Sequence, residues 1–147
     1  MTDRVAILGT APSWRLCPWN DPTLTIASLN DAYSMGVPRI DEHYEQHPLQ
    51  KMWFRPKGKR DFHEHEIPAE VKRGEWFIRP EGHLEWLKTQ AKTIPIWLQD
   101  EPPADWPANA RRFPIEDIVA QYGHYWASGP SYMLAHFHLR GYRHFKI

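Results

Sequence analysis

Residues 5–8 form an unbroken apolar run that closes on Gly9, the pattern of a strand buried on both faces of a parallel sheet. Pro12 and Ser13 then suit the opening of a short helix over 13–18, and 25–29 is a second β-rich run. It ends at Asn30, a residue type that tolerates left-handed backbone. In 39–47, Ile40 and Tyr44 stand among charges in imperfect alternation, which predicts a third strand. Leu84, Leu87 and Ala91 recur at helical spacing over 83–92, and 94–98 returns to strand type, with Pro95 pointing to an edge or irregular strand. A short helix is expected over 115–122. Ser128, Gly129 and Pro130 suit the opening of another, whose Met133, Leu134, Phe137 and His138 lie near one face before Gly141 stops it. Residues 142–147 read as a last strand. Between these elements lie an irregular insertion or lid at about 48–80 and a Pro-rich connection over 100–114. Strands alternating with helices predict an α/β fold with a mostly parallel sheet.

The length of 147 residues fits one domain. Lys plus Arg and Asp plus Glu each number 18, so the formal charge is zero and duplex nucleic acid is not the expected partner. A single cysteine, Cys17, excludes an intramolecular disulfide and favours a reducing compartment. No stretch approaches the ~18 apolar residues of a membrane span, and the first residues lack a signal-peptide pattern, so a cytoplasmic location is expected, without membrane partners.

In an open parallel sheet the ligand crevice lies outside the carboxyl ends of the strands, which singles out Gly9, Thr10, Ser13 and Asn30. Exposed amides at a Gly-containing turn bind anionic oxygens, and Asn30 offers both donor and acceptor atoms. Ser128 and Gly129, at the start of a helix, form a second cradle. The alternatives are an ordinary tight turn and ordinary helix capping. Nine histidines raise the question of a metal, but neither the spacing of His43 with His47 nor that of His63 with His65 makes a ligand set, and no metal is expected. Trp14, Trp86 and Trp97 fall in patterned elements and are expected to be core. The basic residues between Lys51 and Arg60, interleaved with Trp53 and Phe54, read as a solvated flap or as a contact for an anionic ligand. No pattern supports a serine or cysteine nucleophile.

Four segments stand in one order: VAILGTAPS at 5–13, IASLNDAY at 26–33, DEHYEQH at 41–47 and WASGPSYMLAHFHLRGYRHFKI at 126–147. The series resembles proteins widespread in phage and prophage genomes. More distantly it resembles the bacterial CMP-sialic-acid-dependent sialyltransferases and the Rossmann-like domains of motility-associated glycosylation factors. The resemblance implies a Rossmann-like three-layer sandwich that binds a nucleotide or nucleotide sugar, with a CMP-linked one the first expectation. Gly9, Pro12 and Ser13 match the family's first loop, Asn30 its second-strand Asn, and Ser128, Gly129, Tyr132 and Met133 its third motif. Thr10 and Ala11 stand where the family has Asn-Gly, Tyr125 where it has Arg, and Ala127 where it has Thr. Those enzymes continue past the final strand into a catalytic region, whereas this chain stops at Ile147. The open readings are that the chemistry was lost, that other residues replaced it, or that the member is truncated at its C-terminal strand. If transfer is retained, His47, just beyond the third strand, is the preferred catalytic base; the alternative function is a non-catalytic accessory protein that binds a nucleotide or host factor. An unpaired sheet edge would also admit a homo-oligomer.

Overall fold

The apolar run at the start of the chain becomes β1 (Arg4–Leu8), with Val5 and Ile7 on one face and Ala6 and Leu8 on the other, all four buried. In this computed structural model, residues 3–56, 63–124 and 128–147 are described. Tyr125 and Ala127 from the family comparison, and Lys57, Lys59 and Arg60 from the basic run, lie outside the described residues. The further elements are β2 (Leu24–Leu29), β3 (Glu42–Glu45), β4 (Met52–Arg55), α1 (Ala69–Lys72), β5 (Phe77–Pro80), α2 (His83–Gln90), β6 (Ile96–Leu98), β7 (Ala110–Arg112), α3 (Ile115–Tyr122), α4 (Gly129–Leu139) and β8 (His144–Lys146).

Six strands make one sheet in the order β7-β6-β3-β2-β1-β8, and every neighbouring pair is parallel. The chain builds outward from β1 to β7 and then returns to lay β8 on the other side of β1. The direction of winding therefore reverses between β1 and β8. Helices α3 and α4 cover one face over Val5, Ile7, Ala27, Leu29 and Tyr44. The opposite face carries α2 over Ile96 and Leu98, and the segment from Trp14 to Trp19 over Ala6, Leu8 and Ile26. This is the α/β three-layer arrangement expected, with a sheet that is wholly parallel.

Several local expectations are corrected. The helix expected over 13–18 is a 3-10 turn, Pro12–Leu16, with no buried residue to prolong it. The strand expected over 39–47 is confined to Glu42–Glu45. Pro95 does not put β6 at an edge: β6 lies between β3 and β7, because the proline precedes the strand and its carbonyl accepts from the His43 amide at 3.0 Å. The edges are β7 and β8, and β7 arises from the supposedly unstructured connection, where Arg111 and Arg112 conceal a three-residue strand. The supposedly irregular insertion holds a two-stranded parallel ladder, β4 with β5, separate from the main sheet. Trp14, Trp86 and Trp97 are half-buried and each packs against a different core cluster.

Among the described residues, no helix is long and apolar enough to cross a membrane.

Candidate functional site

The chemistry is concentrated on β3, whose sequence Glu-His-Tyr-Glu is buried at every position in the middle of the sheet. Alternation sends Glu42 and Tyr44 to the α4 face and His43 and Glu45 to the α2 face. On the α4 face, Arg140 grips Glu42 with both terminal nitrogens, at 2.6 and 2.7 Å, and the Trp97 indole N–H donates to the same carboxylate at 3.0 Å. The Tyr44 hydroxyl lies 3.0 Å from His136 Nδ1, and burial pushes the His136 imidazole down to about 4.

On the α2 face, Glu45 receives Arg79 from β5 through Nε at 2.9 Å and Nη2 at 2.8 Å, and His83 Nε2 from the first turn of α2 at 2.8 Å. His47 adds its backbone amide at 3.1 Å and its ring Nδ1 at 3.0 Å. Burial alone would raise the Glu45 carboxyl, but hydrogen bonds from His47, His83 and Arg79 outweigh it and hold the group well below the usual range. Glu45 is therefore an anchored anion and does not supply a proton at neutral pH. His47 Nδ1 faces both the Glu45 carboxylate and Arg79 Nη2, and the ring packs on Phe77 with centroids 3.8 Å apart. Whichever tautomer is present, Nδ1 is engaged, which leaves Nε2 as the nitrogen available to a ligand. The sequence reading missed this cluster. The four residues alone carry no sign of it, because the arginines that enclose them come from distant segments of the chain.

Outside the carboxyl ends of β2, β3, β6 and β7 lies a cavity of about 780 Å³. Its wall follows the strands in spatial order: Asn30 after β2, Gln46 and His47 after β3, Gln99 and Asp100 after β6, and Arg112 at the end of β7. The opening of α4 closes the other side with Ser128, Gly129 and Tyr132. Asn30 has φ of 54°, the left-handed region that asparagine tolerates better than most residues. Its side-chain oxygen accepts from the Gln46 amide at 3.2 Å, so it ties β2 to β3 as well as facing the cavity. Gln46 in turn donates to the Gly129 carbonyl at 3.2 Å. A β-carbon at Gly129 would fall 2.2 Å from Gln46 Oε1 and 3.2 Å from Leu29, so glycine lets α4 sit directly on the sheet rim. The helix opening offers fewer amides than expected, because Pro130 has none and the Ser131 amide is taken by the Ser128 carbonyl.

The residues expected to meet over one rim divide between two adjoining cavities. Asn30, His47, Ser128, Gly129 and Tyr132 line the first. Gly9 and Ser13 line a second, of about 610 Å³, beside the reversal between β1 and β8, while Thr10 and Pro12 are exposed and border neither. Pro130 borders both cavities, and the seating of α4 on the rim places it there. The second cavity is largely apolar, with Trp14, Leu16 and Ile147 in its wall beside Lys146 and Cys17. Burial pushes the Cys17 thiol up, away from the reactive thiolate.

Among the described residues, no group of three or more His, Cys, Asp or Glu side chains is arranged to hold a metal ion. The rings of His63 and His65 stack with centroids 5.6 Å apart, His65 lying on the 3-10 turn Glu64–Glu66 and His63 just before it. Comparison with known proteins gives no significant match to a family model, a curated protein or a solved structure.

Proposed function

We propose that the chain binds a nucleotide or nucleotide sugar in the larger rim cavity, with the anionic end toward the opening of α4. The observation that carries this reading is the position of that cavity: outside the carboxyl ends of parallel strands, against a helix start that glycine seats on the sheet. Its volume, about 780 Å³, lies in the range of sites that enclose small organic ligands. Thermal unfolding with CMP, UDP, GDP and CMP-linked sugars tests the reading. Ligand at ~100 times its Kd adds about 2.7 kcal/mol, which in a chain of this length raises Tm by about 5–10 °C. If no nucleotide raises Tm, the reading is wrong.

The same geometry extends to sugar transfer. His47 Nε2 takes the proton of an acceptor hydroxyl while the oxygen bonds to the sugar's anomeric carbon. The bond from that carbon to the phosphate oxygen breaks, and the nucleotide leaves with the electron pair. A second reading, nucleotide capture without turnover, is favoured by the tight seating of His47 between Glu45, Arg79 and Phe77, which is also how a packing residue is held. Nucleotide release from a nucleotide sugar, abolished in His47→Ala with binding retained, supports transfer. Binding without release supports capture.

A further inference from the structure

The ionisable groups on the wall of the rim cavity are not equally available to a ligand. His47 is turned to Glu45, and Arg112, paired in register with Leu98, donates to Glu116 in α3. Asp100, two residues past the end of β6, lines the cavity half-buried, and its carboxylate makes no hydrogen bond or ion pair among the described residues. An ionised carboxylate only accepts hydrogen bonds and repels a phosphate, so this part of the wall asks for hydroxyl or N–H donors. The Gly129 amide and the start of α4 lie over the ends of β2 and β3, where Gly129 packs on Leu29 and Gln46. In the sheet order β6 follows β3, so the two regions stand one to two strand spacings apart, ~5–10 Å. The cavity is thus two-ended: the start of α4, where Gly129 keeps its amide while those of Ser131 and Tyr132 go to the Ser128 carbonyl, stands at one end, and a carboxylate acceptor at the other.

Resting on the nucleotide reading above, we propose that Asp100 makes the site selective for ribonucleotides by accepting hydrogen bonds from the vicinal hydroxyls of the ribose. A carboxylate presents two oxygens side by side, and a cis-diol presents two donors at matching spacing. A 2′-deoxyribose leaves one of those oxygens without a donor inside a partly enclosed site, the situation in which polar recognition discriminates most strongly. Gln99, the neighbouring side chain on the wall, has no charge with which to do the same.

The test is isothermal titration of the full chain with matched pairs, CMP and dCMP, UMP and dUMP, GMP and dGMP, on the wild type, Asp100→Asn and Asp100→Ala. Asp100 makes no hydrogen bond or ion pair among the described residues, and thermal scans of the unliganded variants check that they fold. The expected result is that the best-binding ribonucleotide binds about tenfold more tightly than its deoxy partner, and that both variants bring the ratio to near one. Equal affinity of the two partners for the wild type overturns the role of Asp100 and leaves nucleotide binding standing. A ribose preference that survives in both variants also overturns it, by assigning the discrimination to another group. Failure of every nucleotide to bind overturns the nucleotide reading and this inference with it.

Discussion

His43 shows how a single side chain is fixed by its burial. It shares a 2.6 Å hydrogen bond through Nδ1 with Ser28, its register partner on β2, while Nε2 is buried with no hydrogen-bond partner among the described residues. Trp86 meets the imidazole edge-to-face at 4.9 Å and Tyr33 at 6.0 Å, so rings cover the buried imidazole. Burial accordingly pushes the imidazole down to about 3. The pair is best tested as a pair. Ser28→Ala leaves Nδ1 as a second stranded atom, and His43→Leu strands the Ser28 hydroxyl. Each single change is expected to cost ~1–3 kcal/mol in urea denaturation, whereas the double variant, with both polar partners removed, falls well short of their sum. Additive losses would mean that the hydrogen bond contributes nothing. Of the site residues, Asn30 and Gly129 were legible in the sequence, Asn30 because a left-handed residue after a strand suits asparagine and Gly129 because Ser-Gly-Pro marks a helix start. Asp100 and Arg112 were not, since a charged residue in a Pro-rich connection gives no sign of facing a cavity.

At the scale of elements, β3 shows why chain pattern misjudges a buried strand that carries charge. Two glutamates and a histidine in four residues read as a solvated or marginal strand, yet all are enclosed because Arg79 and Arg140 arrive from β5 and the end of α4. Partners 34 and 98 residues away leave no local signature. The same limit hid β7 and the β4–β5 ladder, whose strands of three or four residues are shorter than any periodicity can register. Arg79 joins the insertion to the main sheet, and its side chain is only 6% exposed. Arg79→Met removes the bidentate partner of a fully buried carboxylate, and His47 and His83 remain to hold it. The expected loss is about 3–5 kcal/mol in urea denaturation, accompanied by faster proteolysis within 48–80. A loss below ~1 kcal/mol would show that the two histidines satisfy Glu45 unaided. Replacing Glu45 as well, as Glu45→Gln with Arg79→Met, is expected to recover part of the loss, because it removes the uncompensated charge.

Over the whole molecule, the alternation of strands and helices sufficed to reveal a parallel α/β sheet, since it depends on apolar runs such as 5–8 and on helix signals such as Ser128 to Gly141. The electrostatic character of the interior depends on pairings that only the folded chain makes, and it sets how stability responds to pH. His43 and His136 have native values lowered by burial to about 3 and about 4, from an ordinary value of 6.5. A histidine with a lowered native value contributes stability that is complete above its unfolded value and is lost as pH falls toward the native one. Between about pH 5 and 6 both rings are neutral in the native state and largely protonated in the unfolded state, so at these two positions the unfolded chain holds about 1.5–1.8 more protons. These two rings then make the unfolding free energy rise with pH by about 2–2.5 kcal/mol per pH unit. Glu45, with its carboxyl held low in the native state, acts in the same direction, but mainly as pH falls below the ordinary glutamate value of 4.5. Urea denaturation at intervals across this range separates the terms: His136→Phe is expected to halve the slope between about pH 5 and 6 and to leave the steeper loss at lower pH in place. A wild-type profile flat across that interval would mean that both imidazoles are already charged in the native protein, and that burial does not hold His43 and His136 neutral.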